Sequence, residues 1–473
     1  MKRQLSFLFL SFLVLSLSAQ NAVENLVNSD LLRNANVSLM VKDLASGKTL
    51  YQYRANNAAI PASTMKVVTT AAALDLLGGD YRFKTTLEYD GKIEKDGTLH
   101  GNLYIKGCGD PTLGSSKLGD TLFLRHWAEE VKHAGIKKIT GNLIADNSLY
   151  DDQGINPRWT WEDMGNYYAA AAYGVSYKDN TYTIQFCSKA AGTTPEIVKT
   201  TPSIPELRFN NRLKSTAIKF DSCYIYGAPR SYERSIYGEI PANHPQFYVK
   251  GDIPRPGLLL VQDFKKELLK NKISISGEVK EIFWNSKTAK TVLYNHLSPV
   301  LRDIVKEINV QSNNHYAEHL FRHLSLQKND VASSNGAIDV ISSHWKSKSL
   351  PTEQLFMYDG SGLSPMDAVS AVFFVELLAY VNSSRNNDDF RNSLPVAGVT
   401  GTLKSFLDGT PLEGKVRAKS GTISRVRCYT GYIDTGSKKW AFAILVNNAS
   451  GSAKAVTDKI EEFLVGITQP PTP

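Results

Sequence analysis

The two ends of the chain share a pattern of hydrophobic and polar positions that predicts strands next to helices. Short runs that alternate or are continuously apolar predict strands, and apolar positions about one turn apart predict helices. The strand-like runs are Val37–Lys42, Thr49–Tyr53, Val416–Thr422, Val426–Asp434 and Trp440–Val446. Helical runs at Ala22–Arg33 and Ala453–Ile467 flank them. We therefore predict one sheet assembled from both ends of the chain.

The middle of the chain, from Tyr81 to Val292, has a different pattern that is richer in turns, proline and tyrosine. The predicted elements here are strands at Leu99–Ile105, Ile139–Asp146, Thr181–Phe186 and Lys272–Val279, and a helix at Leu122–Ala134. Long helical runs return at Leu301–Val310, Asn314–Leu324, Gly336–Ser347 and Ala368–Val381. The pattern predicts one or two domains inserted into the domain that the chain ends form.

Length and composition agree with this organisation and exclude several classes of protein. The chain has 473 residues, which allows about three domains of roughly 150 residues each. With 42% hydrophobic and 21% charged residues, it is not disordered, collagen-like or a multi-spanning membrane protein. Lys and Arg number 54 against 46 Asp and Glu, so the net charge is 54 − 46 = +8. This small excess fits an anionic surface such as a cell-wall polymer and does not indicate nucleic-acid binding.

The N-terminus has the layout of a secretory signal peptide. Lys2 and Arg3 precede an apolar run at Leu5–Leu17, and Ser18 and Ala19 are small residues of the kind found at cleavage sites. We predict a signal peptide at residues 1–19 and export to the periplasm, with an uncleaved anchor as the alternative. No other apolar stretch is long enough to span a bilayer, so membrane contact is peripheral at most. The tail, residues 469–473, is expected to be flexible.

Export places the four cysteines, Cys108, Cys187, Cys223 and Cys428, in an oxidising compartment. None has the spacing of a metal-binding Cys pair, and four thiols allow three full pairings. Two alternatives stay open: a bridge between Cys187 and Cys223, or free buried thiols.

Three short motifs contain the residue types of a serine acyl-transfer site. Ser63 and Lys66 lie three residues apart at a helix start after Pro61, so they share a helix face. A lysine whose pKa is lowered by burial can take the proton of a serine hydroxyl. This motif by itself has an ordinary explanation, because a Ser and a Lys at this spacing occur by chance in most chains.

The second motif is Ser312-Asn313-Asn314 at a helix entry, where Ser and Asn also serve as ordinary N-caps. The third is Lys419-Ser420-Gly421-Thr422 inside a predicted strand. Glycine weakens a strand interior unless another group must approach the backbone there. All three motifs occur in the order Ser-x-x-Lys, Ser-x-Asn and Lys-Thr-Gly of penicillin-binding proteins, with Ser420 in place of Thr.

The resemblance extends beyond the motifs. The chain resembles the D-alanyl-D-alanine carboxypeptidase/endopeptidase family of penicillin-binding proteins, of the penicillin-binding protein 4 type. Further segments that resemble the family are Gly107–Leu113, Trp159–Met164, Asp359–Ser364 and Leu394–Gly398. The long insertion between the first and second motifs is also a feature of the family.

The resemblance implies an α+β fold with a β-lactamase/transpeptidase-like domain, in which a five-stranded antiparallel sheet has helices on both faces. Two smaller, strand-rich domains are inserted into it. On this basis we expect the transpeptidase-like domain at residues 20–85 and 293–468. The first inserted domain is expected at 86–106 and 187–292, and the second at 107–186.

The resemblance also implies the function and the roles of the motif residues. The family removes the terminal D-alanine of peptidoglycan stem peptides and cuts D-alanyl cross-links, without a metal or other cofactor, and β-lactam antibiotics inhibit it covalently. Ser63 would be the acylated nucleophile and Lys66 its base. Ser312 would relay the proton to the leaving amine, and Asn314 would hold the substrate amide. Lys419 and Ser420 would attract the substrate carboxylate. The oxyanion hole would use backbone N–H groups of Ser63 and of Thr422, beyond Gly421. A homodimer is compatible with the sequence.

In the inserted region, Asp163 and Tyr168 match positions that meet the side chain of the stem peptide in related enzymes. An Arg and a Gln that approach the same side chain in those enzymes are replaced here by Pro365 and Ser424. Our hypothesis is that Asp163 binds the side-chain amine of a diamino acid, while Arg425 meets its carboxylate.

Three competing interpretations remain. His315 and His319 fit the H-x-x-E-H pattern of zinc peptidases, with His323 on the same helix face. The preferred alternative for these histidines is a surface helix with solvated side chains. A β-lactamase is a second interpretation, which the large insertion disfavours. A non-catalytic wall-binding protein is the third, which the intact motifs disfavour.

Overall fold

The computed structural model describes residues 21–284 and 289–469. The predicted signal peptide and residues 470–473 of the tail lie outside this range. The described chain forms two compact units. The terminal unit consists of the described parts of Met1–Gly79, Val305–Asn313 and Ile338–Pro473. The central unit consists of Asp80–Ile304 and Asn314–Ala337 without 285–288. The predicted bounds of two separate inserted domains stay a prediction.

The terminal unit contains a five-stranded antiparallel sheet, the major sheet. Its strands, from one edge to the other, are Thr49–Tyr53, Asn36–Asp43, Lys439–Asn447, Val426–Asp434 and Val416–Ile423. The middle strand is buried from Trp440 to Asn447, which explains why it reads in the sequence as a continuous apolar run. The predicted sheet made from both chain ends is confirmed, with strand ends that differ by at most one residue.

Helices cover both faces of the major sheet. The helices of the terminal unit are 21–27, Met65–Leu77, Ala371–Asn382, Asn387–Ser393 and Ala453–Thr468. Val456 and Phe463 pack on one face in a cluster with Phe442 and Ile444. On the other face, the hydroxyl of Tyr432 donates to the carbonyl of Leu378 at 2.9 Å. No helix within the described residues has the length and apolarity that a membrane span requires.

Two predicted helices differ from the observed ones by three or more residues at one end. The helix predicted at Ala368–Val381 begins at Ala371, because Ala368–Ser370 is a strand and the Ser370 hydroxyl caps the helix at the N–H of Phe373. The helix predicted at Ala22–Arg33 ends at residue 27 and continues as turns. Short strands at Ala58–Ala59 and Leu355–Phe356 complete the three-stranded sheet that includes Ala368–Ser370.

The central unit is rich in short strands around its own hydrophobic core. Its five-stranded sheet has the order Val279–Ile282, Leu143–Asp146, Leu103–Lys106, Lys84–Tyr89 and Thr291–Leu297. Its four-stranded sheet has the order Ser274–Ile275, Lys138–Ile139, Thr98–His100 and Lys92–Ile93. The other strands are Thr181–Cys187, Glu196–Thr201, Arg208–Asn211, Lys214–Thr216, Tyr224–Tyr226, Glu233–Tyr237, Glu239–Pro241 and Phe247–Asp252. Helices lie at Phe123–His133, Pro256–Lys270 and Asn314–Leu324, while Leu301–Gln311 and Ser334–Ser347 contain residues of both units.

Three strands predicted as continuous are each divided between these two sheets, and glycine explains the division. Gly101, Gly141 and Gly277 lie at the breaks, where neighbouring backbones cross closely. A Cβ atom on Gly141 would lie 2.3 Å from the carbonyl oxygen of Gly101, and one on Gly277 would lie 2.2 Å from that of Gly141. Only glycine allows this approach, so the chain bends from one sheet into the other at these positions.

The four cysteines are free in the structure. The proposed bridge between Cys187 and Cys223 is therefore wrong, and the alternative of free thiols is the observed one. The strand that ends at Cys187 and the strand that follows Cys223 belong to different three-stranded sheets, so no strand ladder pairs the two cysteines.

We predict that Gly141→Ala destabilises the central unit by about 1–3 kcal/mol, the usual cost of forcing extra volume into a packed interior. The added methyl group would overlap the Gly101 carbonyl oxygen, which belongs to the backbone and cannot rotate away. Denaturant unfolding of the variant and the wild type measures the difference.

Gly466→Ala is the matched control. This glycine lies inside the helix Ala453–Thr468, and no atom lies within 4 Å of an added Cβ. Alanine should stabilise the helix by roughly 0.5–1 kcal/mol. Equal unfolding free energies for Gly141→Ala and the wild type would contradict the crossing argument.

Candidate active site

Ser63 lies in a short 3-10 turn, Ala62–Thr64, that leads directly into the helix Met65–Leu77. The residue before it, Ala62, has a left-handed φ of +46°, which is strained for a residue with a side chain. Ile60 is tied to the major sheet through the side chain of Asn447, which accepts from its N–H at 2.7 Å and donates to its carbonyl at 3.0 Å. These bonds anchor the strained turn that presents Ser63.

The Ser63 hydroxyl and the Lys66 amine are in direct contact. Lys66 Nζ lies 2.9 Å from Ser63 Oγ, as the spacing of three residues predicts, and donates to the carbonyl of Ser361 at 2.6 Å. Lys66 is completely buried. The amine is therefore removed from water and aimed at the serine oxygen.

The Ser361 carbonyl is positioned by a turn that lies outside the three motifs. The carboxylate of Asp359 is buried and accepts backbone N–H groups from Ser361, Gly362 and Ser364 at 3.1, 2.6 and 2.8 Å. Gly362 has φ of +76°, and a Cβ there would overlap the Ala62 carbonyl oxygen. An Asp followed by Gly-Ser-Gly is typical of such side-chain-to-backbone turns, so the signal was present in the sequence.

A second serine–lysine pair forms between distant parts of the chain. Lys419 Nζ donates to Ser312 Oγ at 2.9 Å and to the carbonyl of Ser420 at 2.8 Å. Ser312 has a left-handed φ of +57° at the turn between two helices. Lys419 is completely buried, and burial first, then the nearby charge of Lys66, hold the pKa of its amine well below the usual value. Two buried amines thus face one site.

The strand Val416–Ile423 forms the edge of the major sheet beside the Ser63 turn. Gly421 allows the contact, because a Cβ at this position would lie 2.3 Å from the Pro61 carbonyl oxygen and 3.2 Å from the Ser63 nitrogen. The Ser420 hydroxyl donates to Thr402 Oγ1 at 2.9 Å, a partner that the sequence did not indicate. Thr422 is exposed. The terminal unit therefore brings seven predicted site residues to one place: Ser63, Lys66, Ser312, Lys419, Ser420, Gly421 and Thr422.

The other three predicted site residues meet within the central unit. Asn314 Nδ2 donates to the carbonyl of Tyr168 at 2.9 Å, and the Tyr168 hydroxyl bonds the carboxylate of Asp163. Thr160 Oγ1 also donates to Asp163, at 2.7 Å. Burial raises the pKa of the Asp163 carboxyl, and burial followed by the Asp163 charge raises that of Tyr168. Arg425 belongs to the terminal unit, where it is exposed on the turn after the edge strand.

The expectation of solvated histidines on a surface helix is wrong. His315, His319 and His323 are all buried in the central unit. His315 Nε2 lies 3.0 Å from Ser176 Oγ, and His319 Nδ1 lies 3.0 Å from the Gly109 carbonyl oxygen. The periodicity of a helix shows which face is polar, but not that distant loops cover it. Burial lowers the pKa of His315 to about 3, so it is a neutral hydrogen-bonding group.

Within residues 21–284 and 289–469, no group of three or more His, Cys, Asp or Glu side chains has the arrangement of a metal site. The H-x-x-E-H pattern of the helix Asn314–Leu324 instead supplies side chains to a hydrogen-bonded core. His323, on the same helix face, joins this core, because its Nε2 lies 2.7 Å from the hydroxyl of Tyr81 and its Nδ1 lies 3.3 Å from that of Tyr150.

Comparison with known proteins agrees with the resemblance. A model of the D-Ala-D-Ala carboxypeptidase 3 (S13) family matches residues 19–468. A D-alanyl-D-alanine carboxypeptidase of Actinomadura sp. (strain R39) is 29% identical over 455 residues, covering 93% of this chain and 82% of the relative. The D-alanyl-D-alanine carboxypeptidase DacB of Haemophilus influenzae is 25% identical over 425 residues, covering 88% of this chain and 86% of the relative.

Solved structures show the same fold. Penicillin-binding protein 4 of Haemophilus influenzae superposes with a TM-score of 0.80 at 24% identity, covering 94% of this chain and 98% of that one. A predatory endopeptidase of Bdellovibrio bacteriovorus superposes with a TM-score of 0.51 at 17% identity, covering 91% and 93%. The predicted fold class, α+β with a β-lactamase/transpeptidase-like domain, is confirmed.

We predict that the buried His323 makes the central unit sensitive to acid. Burial lowers the pKa of His323 to about 4 in the folded state, against 6.5 for the free side chain. The contribution of the neutral His323 side chain to the free energy of unfolding is therefore complete above pH 6.5 and is lost as the pH falls towards 4. This loss is roughly 3 kcal/mol in the free energy of unfolding. The measurement is denaturant unfolding between pH 7 and pH 4, compared with His323→Gln, whose amide stays neutral.

The exposed His133 provides the control, because His133→Gln should leave the pH profile of the wild type unchanged. If His323→Gln loses stability with acid as steeply as the wild type, His323 is not the group responsible.

Proposed function

This chain belongs to the D-Ala-D-Ala carboxypeptidase 3 (S13) family and is a serine-type hydrolase, and on that basis we propose that it acts on peptidoglycan through an acyl-enzyme on Ser63. The proposed substrates are the D-alanyl-D-alanine ends of stem peptides and the D-alanyl cross-links between them. We further propose that residues 1–19 direct export to the periplasm. Penicillins and other β-lactams would acylate the same serine.

One observation carries this proposal: a completely buried lysine amine lies 2.9 Å from the hydroxyl of Ser63. A serine hydroxyl becomes nucleophilic when a neighbouring group takes its proton, and burial favours the neutral amine that can do so. The Ser361 carbonyl accepts one N–H of Lys66 and so orients the amine beside the serine hydroxyl.

In the proposed acylation step, Ser63 Oγ attacks the carbonyl carbon of the penultimate D-alanine while its proton passes to Lys66 Nζ. The backbone N–H groups of Ser63 and Thr422 stabilise the oxygen that becomes negative, an effect typically worth ~3 kcal/mol. The C–N bond of the peptide then breaks, and the proton reaches the leaving amine through Ser312. The terminal D-alanine departs, or the amine of a neighbouring stem peptide when a cross-link is cut.

Water completes the proposed cycle by attacking the ester on Ser63. Lys66 takes a proton from the water, and Ser63 Oγ regains one as the ester bond breaks. Lys419 and Ser420 attract the terminal carboxylate of the substrate, while Asn314 holds its backbone amide. No step calls for a metal or an organic cofactor.

For the side chain of the stem peptide, we propose that Asp163 and Tyr168 bind the amine of a diamino acid. The Tyr168 hydroxyl already bonds the Asp163 carboxylate, so the pair offers an oriented, half-buried acceptor. Charge-assisted hydrogen bonds of this kind contribute more than neutral ones. Arg425 is proposed to meet the carboxylate of the same side chain, in place of the Arg that Pro365 replaces.

We predict that labelled penicillin forms a long-lived adduct on Ser63, as measured by intact mass and peptide mapping. Ser63→Ala should form none. Lys66→Ala should acylate about 10²- to 10⁴-fold more slowly, the usual contribution of a general base. Ser437→Ala, an exposed serine in the last hairpin turn, is the control and should acylate like the wild type.

The same experiment separates the competing interpretations. Rapid turnover of the penicillin would indicate a β-lactamase. The absence of both adduct and peptidase activity would indicate a non-catalytic wall-binding protein. Peptidase activity that a chelator abolishes, without an adduct, would rule out the serine mechanism.

We predict that Asp163→Ala lowers kcat/KM for peptides with a free diaminopimelate amine by roughly 10- to 100-fold, the loss expected for one charge-assisted hydrogen bond. For peptides in which this amine is acetylated, Asp163→Ala should lower kcat/KM only slightly. Glu162→Ala removes the adjacent, exposed carboxylate and controls for charge. Hydrolysis by Asp163→Ala at the wild-type rate would contradict the assignment.

A further inference from the structure

One small sheet of the central unit has aromatic rings on its solvent side. Its strands are ordered Arg208–Asn211, Glu233–Tyr237 and Tyr224–Tyr226. Side chains alternate between the faces of a strand, so Tyr224 and Tyr226 share a face, and Tyr237 joins them because it pairs with Tyr224. The opposite face carries the buried Ile225 and Ile236. Packing against the core therefore accounts for the apolar residues of one face only, and not for the tyrosines of the other.

Trp161 extends this aromatic face from the segment before Met164. Its ring lies 6.3 Å from that of Tyr226 at a tilt of 31°, and Tyr226 meets Tyr237 edge-on at 5.8 Å. Trp161 is 56% exposed and Tyr237 48% exposed. Large aromatic side chains clustered at the surface gain little from folding, and such patches mark binding sites.

The rings of Trp161, Tyr226 and Tyr237 line a groove of about 640 Å³, within the usual range of ~300–1,000 Å³ for small-ligand sites. Asn210, Glu233 and Ser235 supply hydrogen-bonding groups beside the rings. Arg234 also lines the groove, but its guanidinium is buried and paired with Asp252 at 2.9 Å. The groove thus combines flat apolar surfaces with amide, hydroxyl and carboxylate groups, and Arg234, the cation among its described lining residues, is already paired.

We propose that this aromatic groove binds the glycan strand of peptidoglycan, a chain of N-acetylated amino sugars. A pyranose ring has an apolar C–H face that packs on an aromatic ring, while its hydroxyl and acetamido groups exchange hydrogen bonds at its edge. Rings and short polar side chains on one face match both requirements. An extended peptide would use the backbone groups of a sheet edge instead.

The position of the groove supports a glycan in particular. The N–H of Gly227 donates to the carbonyl of Met164 at 3.2 Å, and that of Ile225 donates to the side chain of Asn166 at 3.0 Å. These bonds fasten the segment that contains Asp163 and Tyr168 to the aromatic strand. Stem peptides are attached to the glycan, so a peptide side chain at Asp163 brings sugars nearby. This step rests on the proposed function.

The test titrates the full chain with tri-N-acetylchitotriose, a peptide-free β-linked trisaccharide, by calorimetry. Tyr237→Ser and Asn210→Ala, on two different strands, should each weaken binding about 10-fold or more. Trp284→Ala is the matched control, because this tryptophan is 67% exposed and does not line the groove. The penicillin acylation rate of all three variants should equal that of the wild type, which also shows that they are folded.

Three results would overturn the proposal: no binding of the trisaccharide to the wild type at millimolar concentration, equal binding by wild type and groove variants, or displacement of the trisaccharide by a sugar-free stem peptide. A failure of the proposed function would give a different result. A wild type that binds the trisaccharide but forms no penicillin adduct would contradict the acyl-enzyme and still support the glycan groove.

Discussion

The contact between the buried Lys66 amine and the Ser63 hydroxyl is the interaction on which the rest of the terminal unit depends. Burying an amine is costly unless its hydrogen bonds are made inside the protein. Lys66 meets this condition with Ser63 and the Ser361 carbonyl, and Lys419 does so with Ser312 and the Ser420 carbonyl. Burial first, and then the nearby charge of Lys66, raise the cost of a proton on Lys419 and hold the pKa of its amine well below the usual value.

This geometry is held by backbone that would be unfavourable elsewhere. Ala62 and Ser312 both adopt left-handed φ angles, +46° and +57°, without being glycine. Such strain persists only where surrounding contacts impose it. The glycines of the neighbouring segments serve this purpose, since Gly362 and Gly421 allow backbone to approach where any side chain would collide. The small residues around the motifs are thus as necessary to the site as the reactive ones.

The central unit shows what a local pattern leaves undetermined. The helix Asn314–Leu324 was predicted with its observed ends, yet its histidines are buried, because loops distant in sequence cover its polar face. Strands that look continuous in the sequence are divided where Gly101, Gly141 and Gly277 let backbones cross. Tyr224, Tyr226 and Tyr237 belong to strands that the sequence analysis did not predict, and they lie on the solvent side of their sheet.

Local sequence patterns were enough to predict the strands of the major sheet and the C-terminal helix, because these depend on periodicity, and to predict the contact of Ser63 with Lys66, which depends on a short spacing. A spacing of three residues across the start of a helix is enough to bring Ser63 into contact with Lys66. Long-range packing alone determines that the Ser361 carbonyl orients Lys66 and that Asn447 anchors the strained turn, and it leaves the four cysteines free. The contacts of Lys66 and Asn447 join positions hundreds of residues apart, and no local sequence pattern shows which distant backbone group will lie beside a given side chain.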